Sequence, residues 1–262
     1  MSAADHLLLV DVGNTNTVFG IHRKGELVES LRLSTDAERT ADEWGALLLP
    51  LMADLGVEPK RTEAVVVSSV VPTIHPILVR LSERYFGCSP LFVEPGIKTG
   101  LPIRYDNPAE VGADRIVNAL AARELYGAPV VVVDFGTATT FDVVNPRGEY
   151  TGGIIAPGIS ISAEALFSHA SRLYRVDLRR PDQLIAKNTV GAMQAGIYYG
   201  YLGLVDGILE RLLDEIEGLE KVVATGGHAE LLAQESEYIT DVDSGLTLVG
   251  LQMVYERNRG RR

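Results

Sequence analysis

The stretch Leu7-Leu8-Leu9-Val10-Asp11-Val12-Gly13-Asn14-Thr15-Asn16-Thr17 runs from an apolar strand into an acidic residue, then turns through a glycine into small amide and hydroxyl side chains. That order of residue types suits phosphate. Gly13 lets the backbone approach an anion, the N–H groups and the Asn and Thr side chains after it donate hydrogen bonds, and Asp11 can hold a hydrated cation against the charge. A β-turn in which Gly and Asn serve geometry alone fits the same residues, so the stretch by itself leaves both readings open.

A second copy weighs on the first reading. Val130-Val131-Val132-Val133 leads into Asp134-Phe135-Gly136-Thr137-Ala138-Thr139-Thr140, and the two segments align without a gap. Asp11 falls on Asp134, Gly13 on Gly136, Thr17 on Thr140, Gly25 on Gly148 and Glu26 on Glu149. What repeats is a whole unit of strand, turn, strand, Gly-Glu hairpin and strand, which points to duplicated halves. The expected division is residues 1–115 and 116–262.

At 262 residues the chain has room for two domains, each with its own core. A net charge of −11 and a pI near 5.0 leave no basic stripe for a nucleic acid. The basic cluster Arg257, Arg259, Arg261 and Arg262 reads as a frayed end. One cysteine, Cys88, excludes an internal disulfide and a cysteine zinc cluster and fits a reducing compartment. The first apolar run has no basic region before it and meets Asp11 too soon for a signal peptide. No stretch approaches the roughly 20 apolar residues of a membrane span. A soluble, cytoplasmic protein with no nucleic-acid or membrane partner is expected.

Along the chain, Thr17 to His22 and Glu26 to Ser34 read as a hairpin, and Thr40-Ala41-Asp42-Glu43 is a capping box opening a helix to about Leu55, with Trp44 as a core aromatic. Glu63 to Ser69 is a buried strand that Ser68-Ser69-Val70-Val71-Pro72 closes where a cleft would lie, and His75, before the next helix, reads as structural. Ile97 to Asn107, carrying Tyr105, precedes Gly112-Ala113-Asp114-Arg115, which is helical by Ala113 and continues to Tyr126. Asp114 and Arg115 point about 100° apart on a helix, so if both belong to one site they address different parts of one ligand. A helix-terminal charge at Asp114 beside a solvated Arg115 explains the pair equally well.

In the second half, Gly152, Gly153 and Gly158 suggest a hinge, a close ligand approach or a tight strand exit before a helix from Ser162 to Ala170. Leu173 to Lys187, near Arg172, Arg175, Arg179 and Arg180, reads as a solvated loop. Asn188-Thr189 caps a long helix to about Glu217, in which Gly196, Gly200, Gly203 and Gly207 share one face. Each glycine costs about 1 kcal/mol against Ala, so the stripe calls for a close contact, from the protein's own sheet or from a partner subunit. Gly226 and Gly227, between a strand and a helix, let a flat ring such as adenine lie against backbone; a strained turn is the other reading.

Two similar halves, each with a front hairpin and a phosphate-type turn facing a common cleft, resemble the sugar kinase, Hsp70 and actin group. The resemblance implies a duplicated actin-like, ribonuclease H-like α/β fold of two domains with central mixed sheets. Within that group the order Asp11-Val12-Gly13-Asn14-Thr15, Gly112-Ala113-Asp114-Arg115, Asp134 to Thr140, Gly152-Gly153-Ile154 with Pro157-Gly158, and Asn188-Thr189 with Ala192 to Gly196 is similar to the type III pantothenate kinases from end to end. Phe135 stands where that family often has a smaller residue.

The resemblance implies ATP-dependent phosphorylation of pantothenate, the first step towards coenzyme A, with Asp114 as general base. It implies that Asp11, Val12, Gly13, Asn14, Thr15, Asn16, Thr17 and Val18 hold the ATP phosphates, with Asp11 reaching Mg²⁺ through water. Thr137 is implied as a further phosphate contact, Gly226 and Gly227 as part of the adenosine motif, and Asp134 as ligand to a monovalent cation, K⁺ or NH₄⁺. Pantothenate contacts are implied at Tyr105, Gly112, Ala113, Asp114, Arg115 and Thr189, the last from a neighbouring subunit, hence a homodimer with the site completed across the interface. A transcription accessory protein of the same pattern would have no need of a carboxylate at Asp114. A hydrolase on this fold would need a residue that activates water.

Overall fold

The computed structural model describes residues 6–169 and 175–260; Ala170, Arg172, Leu173, Arg261 and Arg262 lie outside them. The chain forms two compact units. Unit 1 comprises the residues up to Gly100, Asn107–Ala121 and those from Thr247 on; unit 2 comprises Leu101–Asp106 and Ala122–Leu246. A cut at 115/116 thus falls inside unit 1's second segment, and the last helix belongs with the first half of the sequence.

Unit 1 contains β1 (His6–Val12), β2 (Asn16–Arg23), β3 (Glu26–Ser34), α1 (Ala41–Asp54), β4 (Thr62–Ser69), α2 (His75–Leu81) and β5 (Leu91–Phe92). Its sheet has the order β3-β2-β1-β4-β5, with β1 antiparallel to β2 and parallel to β4. The hairpin bends at Lys24 and Gly25, both at positive φ. Thr40 caps α1 through a complete capping box with Glu43. Trp44, Leu48 and Met52, four residues apart, form one stripe that packs with Leu8, Val10, Phe19, Val65 and Val67, so Trp44 is a core residue. His75 stacks on Phe92 at 4.5 Å and lies 3.7 Å from Glu94.

The other face of this sheet meets α7 (Leu246–Asn258), which packs in turn on α3 (Ala113–Tyr126), a helix that starts in unit 1. A Cβ on Gly20 would stand 2.7 Å from Leu248 Cδ1, and one on Gly250 would stand 2.2 Å from the Val117 carbonyl oxygen. Glycine is therefore what allows α7 to approach both β2 and α3.

Unit 2 repeats the plan with β6 (Val130–Phe135), β7 (Ala138–Val144), β8 (Tyr150–Pro157), α4 (Ile159–His169), α5 (Thr189–Glu215), β9 (Lys221–Gly226), α6 (Ala229–Ala233) and β10 (Asp241–Val242). The order β10-β9-β6-β7-β8 is that of unit 1 read from the other edge, and β6 is again antiparallel to its hairpin partner and parallel to the crossover strand β9. Val130 to Val133 are fully buried, as expected of a central strand covered on both faces. Tyr198, Tyr201, Val205, Leu209 and Leu212 of α5 complete the core with Val131, Val133 and Phe135.

The gapless alignment of the two copies needs one correction. β1 pairs Val12 with Thr17, whereas β6 pairs Phe135 with Thr139. The turn of unit 2 is tighter by a residue, so Thr139, not Thr140, takes the place of Thr17. Both Thr17 and Thr139 are fully buried, while Thr140 pairs with Asp134 and donates to Asp142. A longer second bend, closed by Asn145 N–H donating to Glu149 O and with a register shift at Val143/Val144, brings Gly148 back to a left-handed turn matching Gly25.

Gly152 and Gly153 lie within strand β8, where a Cβ on Gly153 would fall on the Phe141 backbone of β7. Two other expectations change. Helix α4 begins directly after Gly158, whose carbonyl accepts from Ser162 N and Oγ. The glycine stripe does not pack on unit 2's sheet: a Cβ on Gly196, Gly200 or Gly203 would meet nothing within 4 Å.

Candidate active site

In unit 1 the turn after β1 is closed by Gly13 N–H donating to Asn16 O at 3.0 Å. Asn14 and Thr15 are exposed at its tip and Asp11 is partly buried at its base. Thr35, beyond the end of β3, locks the turn from behind: its hydroxyl donates to Gly13 O at 2.7 Å and lies 2.9 Å from Thr17 Oγ1. Thr17 and the buried Val12 therefore support the turn, while Asn14 and Thr15 present groups outward. No sequence motif marked Thr35, since its partner carbonyl is more than twenty residues away on the chain.

Asp114 belongs to the same end of unit 1. Val70 N–H, just past β4, donates to Val12 O at 3.0 Å, and a Cβ on Gly112 would stand 3.6 Å from Val70 Cγ1 and 2.5 Å from Asp114 Oδ1. Gly112 is thus the residue that makes room for the Asp114 carboxylate, beside the carboxyl ends of β1 and β4, where parallel pairs in α/β sheets bind their ligands. Burial pushes the Asp114 carboxyl up; the Arg115 N–H, donating to Oδ1 at 2.8 Å, and the Arg115 charge oppose that shift without cancelling it. A raised carboxyl pKa makes a stronger base once ionised. Arg115 is buried, with about 8% of its surface exposed, so the solvated alternative for it does not hold.

In unit 2 the register sets Asp134 beside Thr225 and Phe135 beside Gly226, so the second acidic turn and the Thr225-Gly226-Gly227 bend share the carboxyl end of the parallel pair β6 and β9. Gly226, at φ 90°, lies against Asp134: a Cβ there would stand 2.5 Å from Asp134 Oδ1 and 2.7 Å from Phe135 backbone atoms. Gly227 N–H donates to Phe135 O at 3.1 Å, and nothing lies within 4 Å of the space a Gly227 Cβ would take. Gly158 packs on the turn's carbonyls, with a Cβ position 2.2 Å from Thr137 O and 2.7 Å from Gly136 O. Thr139 is held from below by the Tyr201 hydroxyl, which donates to Thr139 Oγ1 at 2.6 Å and lies 2.9 Å from Pro157 O. Phe135 is buried in the core, which explains how a large residue is accommodated in the turn.

Tyr105 lies over β8, its ring carbons 3.1 and 3.2 Å from the Gly152 Cβ position. Thr189 is exposed on the first turn of α5, after the cap in which Asn188 Oδ1 accepts from Gly191 N–H at 2.8 Å. Thr189 and Gly196 both line an apolar groove of about 410 Å³ in unit 2.

The donor chemistry fits oxygen-loving cations. Among the described residues no three or more His, Cys, Asp or Glu side chains gather into a metal cage. A single carboxylate at the base of each turn is what a cation that keeps much of its water shell requires, as Mg²⁺ does. At Asp134 the missing Gly226 side chain leaves a cradle beside the carboxylate.

Two mixed sheets of one topology, each with an acidic, glycine-containing turn after its first strand, give the chain an actin-like fold. A Streptomyces griseus ROK family glucokinase, crystallised with glucose and AMPPNP, shares the fold with a TM-score of 0.51 at 13% identity, covering 94% of this chain and 97% of its own. A Campylobacter jejuni protein described as a Baf family transcriptional activator matches with a TM-score of 0.59 at 21% identity over 97% of this chain and 100% of its own. That likeness speaks for the fold alone. The profile of the type III pantothenate kinases matches residues 7–211. A type III pantothenate kinase of Geobacter sulfurreducens is 57% identical over 97% of this chain and 99% of its own length. The chain belongs to the type III pantothenate kinase family. Among the described residues no helix is long and apolar enough to cross a membrane.

Proposed function

We propose that this protein transfers the γ-phosphoryl group of ATP to the primary hydroxyl of pantothenate, giving 4'-phosphopantothenate for coenzyme A synthesis in the cytoplasm. Family membership supports the substrate. The observation that carries the chemistry is the desolvated Asp114 carboxylate, lodged against Gly112 at the carboxyl ends of β1 and β4. Asp114 takes the hydroxyl proton as the oxygen bonds to phosphorus and the bond to the ADP oxygen breaks.

Asp11 and the turn through Val18 bind the ATP phosphates, Thr137 is a further phosphate contact, and Gly226 and Gly227 receive the adenosine. Gly112, Ala113, Arg115 and Tyr105 orient pantothenate, and the buried Arg115 guanidinium suits an anionic group. A divalent ion, Mg²⁺, held through water by Asp11, and K⁺ or NH₄⁺ at Asp134 would neutralise phosphate charge when bound. A coupled ADP-release assay with ATP, Mg²⁺ and K⁺ tests the reading: turnover is expected with pantothenate and not with glucose or acetate. Turnover of glucose alone rejects it.

The open glycine stripe supports a homodimer built on α5, with Thr189 of one subunit completing the site of the other. The Gly200→Leu, Gly203→Leu double variant is expected to sediment as a monomer with pantothenate turnover reduced at least tenfold, on the order of one lost substrate contact. A dimeric, fully active variant would place the interface elsewhere.

A further inference from the structure

Ser68 is fully buried, and its hydroxyl has no hydrogen-bond partner in the protein. The next residue differs: Ser69 Oγ donates to Val71 O and accepts from Val71 N–H. An alanine or valine would fill a purely structural strand position better, because a buried hydroxyl without a partner destabilises.

The position of Ser68 suggests what occupies it. Val65 and Val67 of β4 and Val10 and Val12 of β1 enter the core shared with α1 and α2. Strand alternation therefore turns Ser68 and Asp11 to the opposite face, and the register sets those two residues side by side. Neighbouring strands are about 4.8 Å apart, which places the hydroxyl within reach of the Asp11 carboxylate through one shared water. Such waters commonly complete buried polar groups that lack a protein partner. The same face of the sheet is the one that α7 approaches at Gly20, and α7 packs on α3, whose first turn carries Asp114.

We infer that Ser68 is a positioning residue for Asp11: through a shared water its hydroxyl fixes the orientation in which the carboxylate engages the hydrated divalent cation of the nucleotide. The inference rests on Asp11 serving that cation, as proposed above. Groups that orient a metal-binding carboxylate typically change metal affinity about 10- to 100-fold when removed.

The test is equilibrium binding of AMPPNP to the whole protein with and without Mg²⁺, in wild type, Ser68→Ala and Ser68→Cys, together with thermal midpoints. The gain in affinity that Mg²⁺ confers is expected to fall about tenfold in both variants. Metal-free binding stays unchanged, and the midpoint holds or rises because the unpartnered hydroxyl is gone. If the alanine variant does not fold, the cysteine variant carries the comparison. A Mg²⁺ gain within about twofold of wild type overturns the inference, as does a fall in metal-free binding that tracks a lower midpoint. If wild type itself gains nothing from Mg²⁺, the assignment of Asp11 falls and the role of Ser68 falls with it.

Discussion

Asp114→Asn is expected to lower pantothenate phosphorylation by about 10²- to 10⁴-fold, the usual worth of a general base, while leaving AMPPNP affinity unchanged. The substitution is close to isosteric. Asn keeps an oxygen to accept the Arg115 N–H that now donates to Oδ1 at 2.8 Å, and it keeps the fit against Gly112. What it loses is the basic lone pair.

Two further readouts separate that loss from general damage. Burial raises the Asp114 pKa, so wild-type kcat/KM should fall on an acidic limb lying above the ordinary carboxylate range of about 4, as protonation removes the base. The residual activity of Asp114→Asn should lack that limb. The stability effect runs the other way. A carboxyl whose folded pKa exceeds its unfolded value makes the native state bind protons more tightly, so folding is penalised above the folded pKa and the penalty vanishes as pH falls through it. At neutral pH the variant should therefore melt at or above the wild-type midpoint, with the difference closing in acid. Activity within tenfold of wild type, or an unchanged acidic limb, would show that another group takes the proton.

Gly158→Ala is expected to damage unit 2 severely, at the turn rather than in the strand pair that Gly153 serves. Its Cβ would lie 2.2 Å from Thr137 O and 2.7 Å from Gly136 O, backbone atoms that cannot rotate aside as a side chain can. The hydrogen bond from Gly158 N–H to Thr137 O, at 3.2 Å, ties the same two segments together. Relieving the collision pushes the turn out of shape at the residue proposed to meet phosphate. Overpacking of this kind costs about 1–3 kcal/mol or more, read as a lower denaturant midpoint, together with loss of nucleotide binding. Gly227→Ala is the contrast, because its Cβ meets nothing within 4 Å, and its midpoint should stay within about 0.5 kcal/mol of wild type. Equal midpoints for the two variants would mean that Gly158 is not under steric constraint.

The fold was legible because the signals are local. Apolar runs ending in Asp11 and Asp134, the Thr40 to Glu43 box, and Gly25 and Gly148 at hairpin bends are each decided within a few residues of chain. Asp114 was singled out by the family motif, but the physics of its surroundings was not legible. That Gly112 is small to admit the carboxylate, and that Arg115 is buried, depend on packing of segments distant in sequence. The same holds for Thr35 behind the first turn and Tyr201 beneath the second, where a hydroxyl's usefulness depends on a carbonyl or hydroxyl that no spacing rule connects to it. The mismatch between Thr17 and Thr140 has a different cause. A gapless alignment counts residues, while a hairpin counts pairs, and one residue fewer in the turn moves the pairing by a position without disturbing the identities around it.

The return of the chain to unit 1 in α7 has a consequence for biosynthesis. Leu248, Leu251 and Val254 of that helix are buried, and its Thr247 hydroxyl donates to the buried Asn118 at 2.8 Å. One face of the β1–β4 sheet therefore stays uncovered on the ribosome until α7 has been synthesised and has emerged from the exit tunnel. Translation makes this half first, yet its assembly concludes last, after the intervening half has had time to fold.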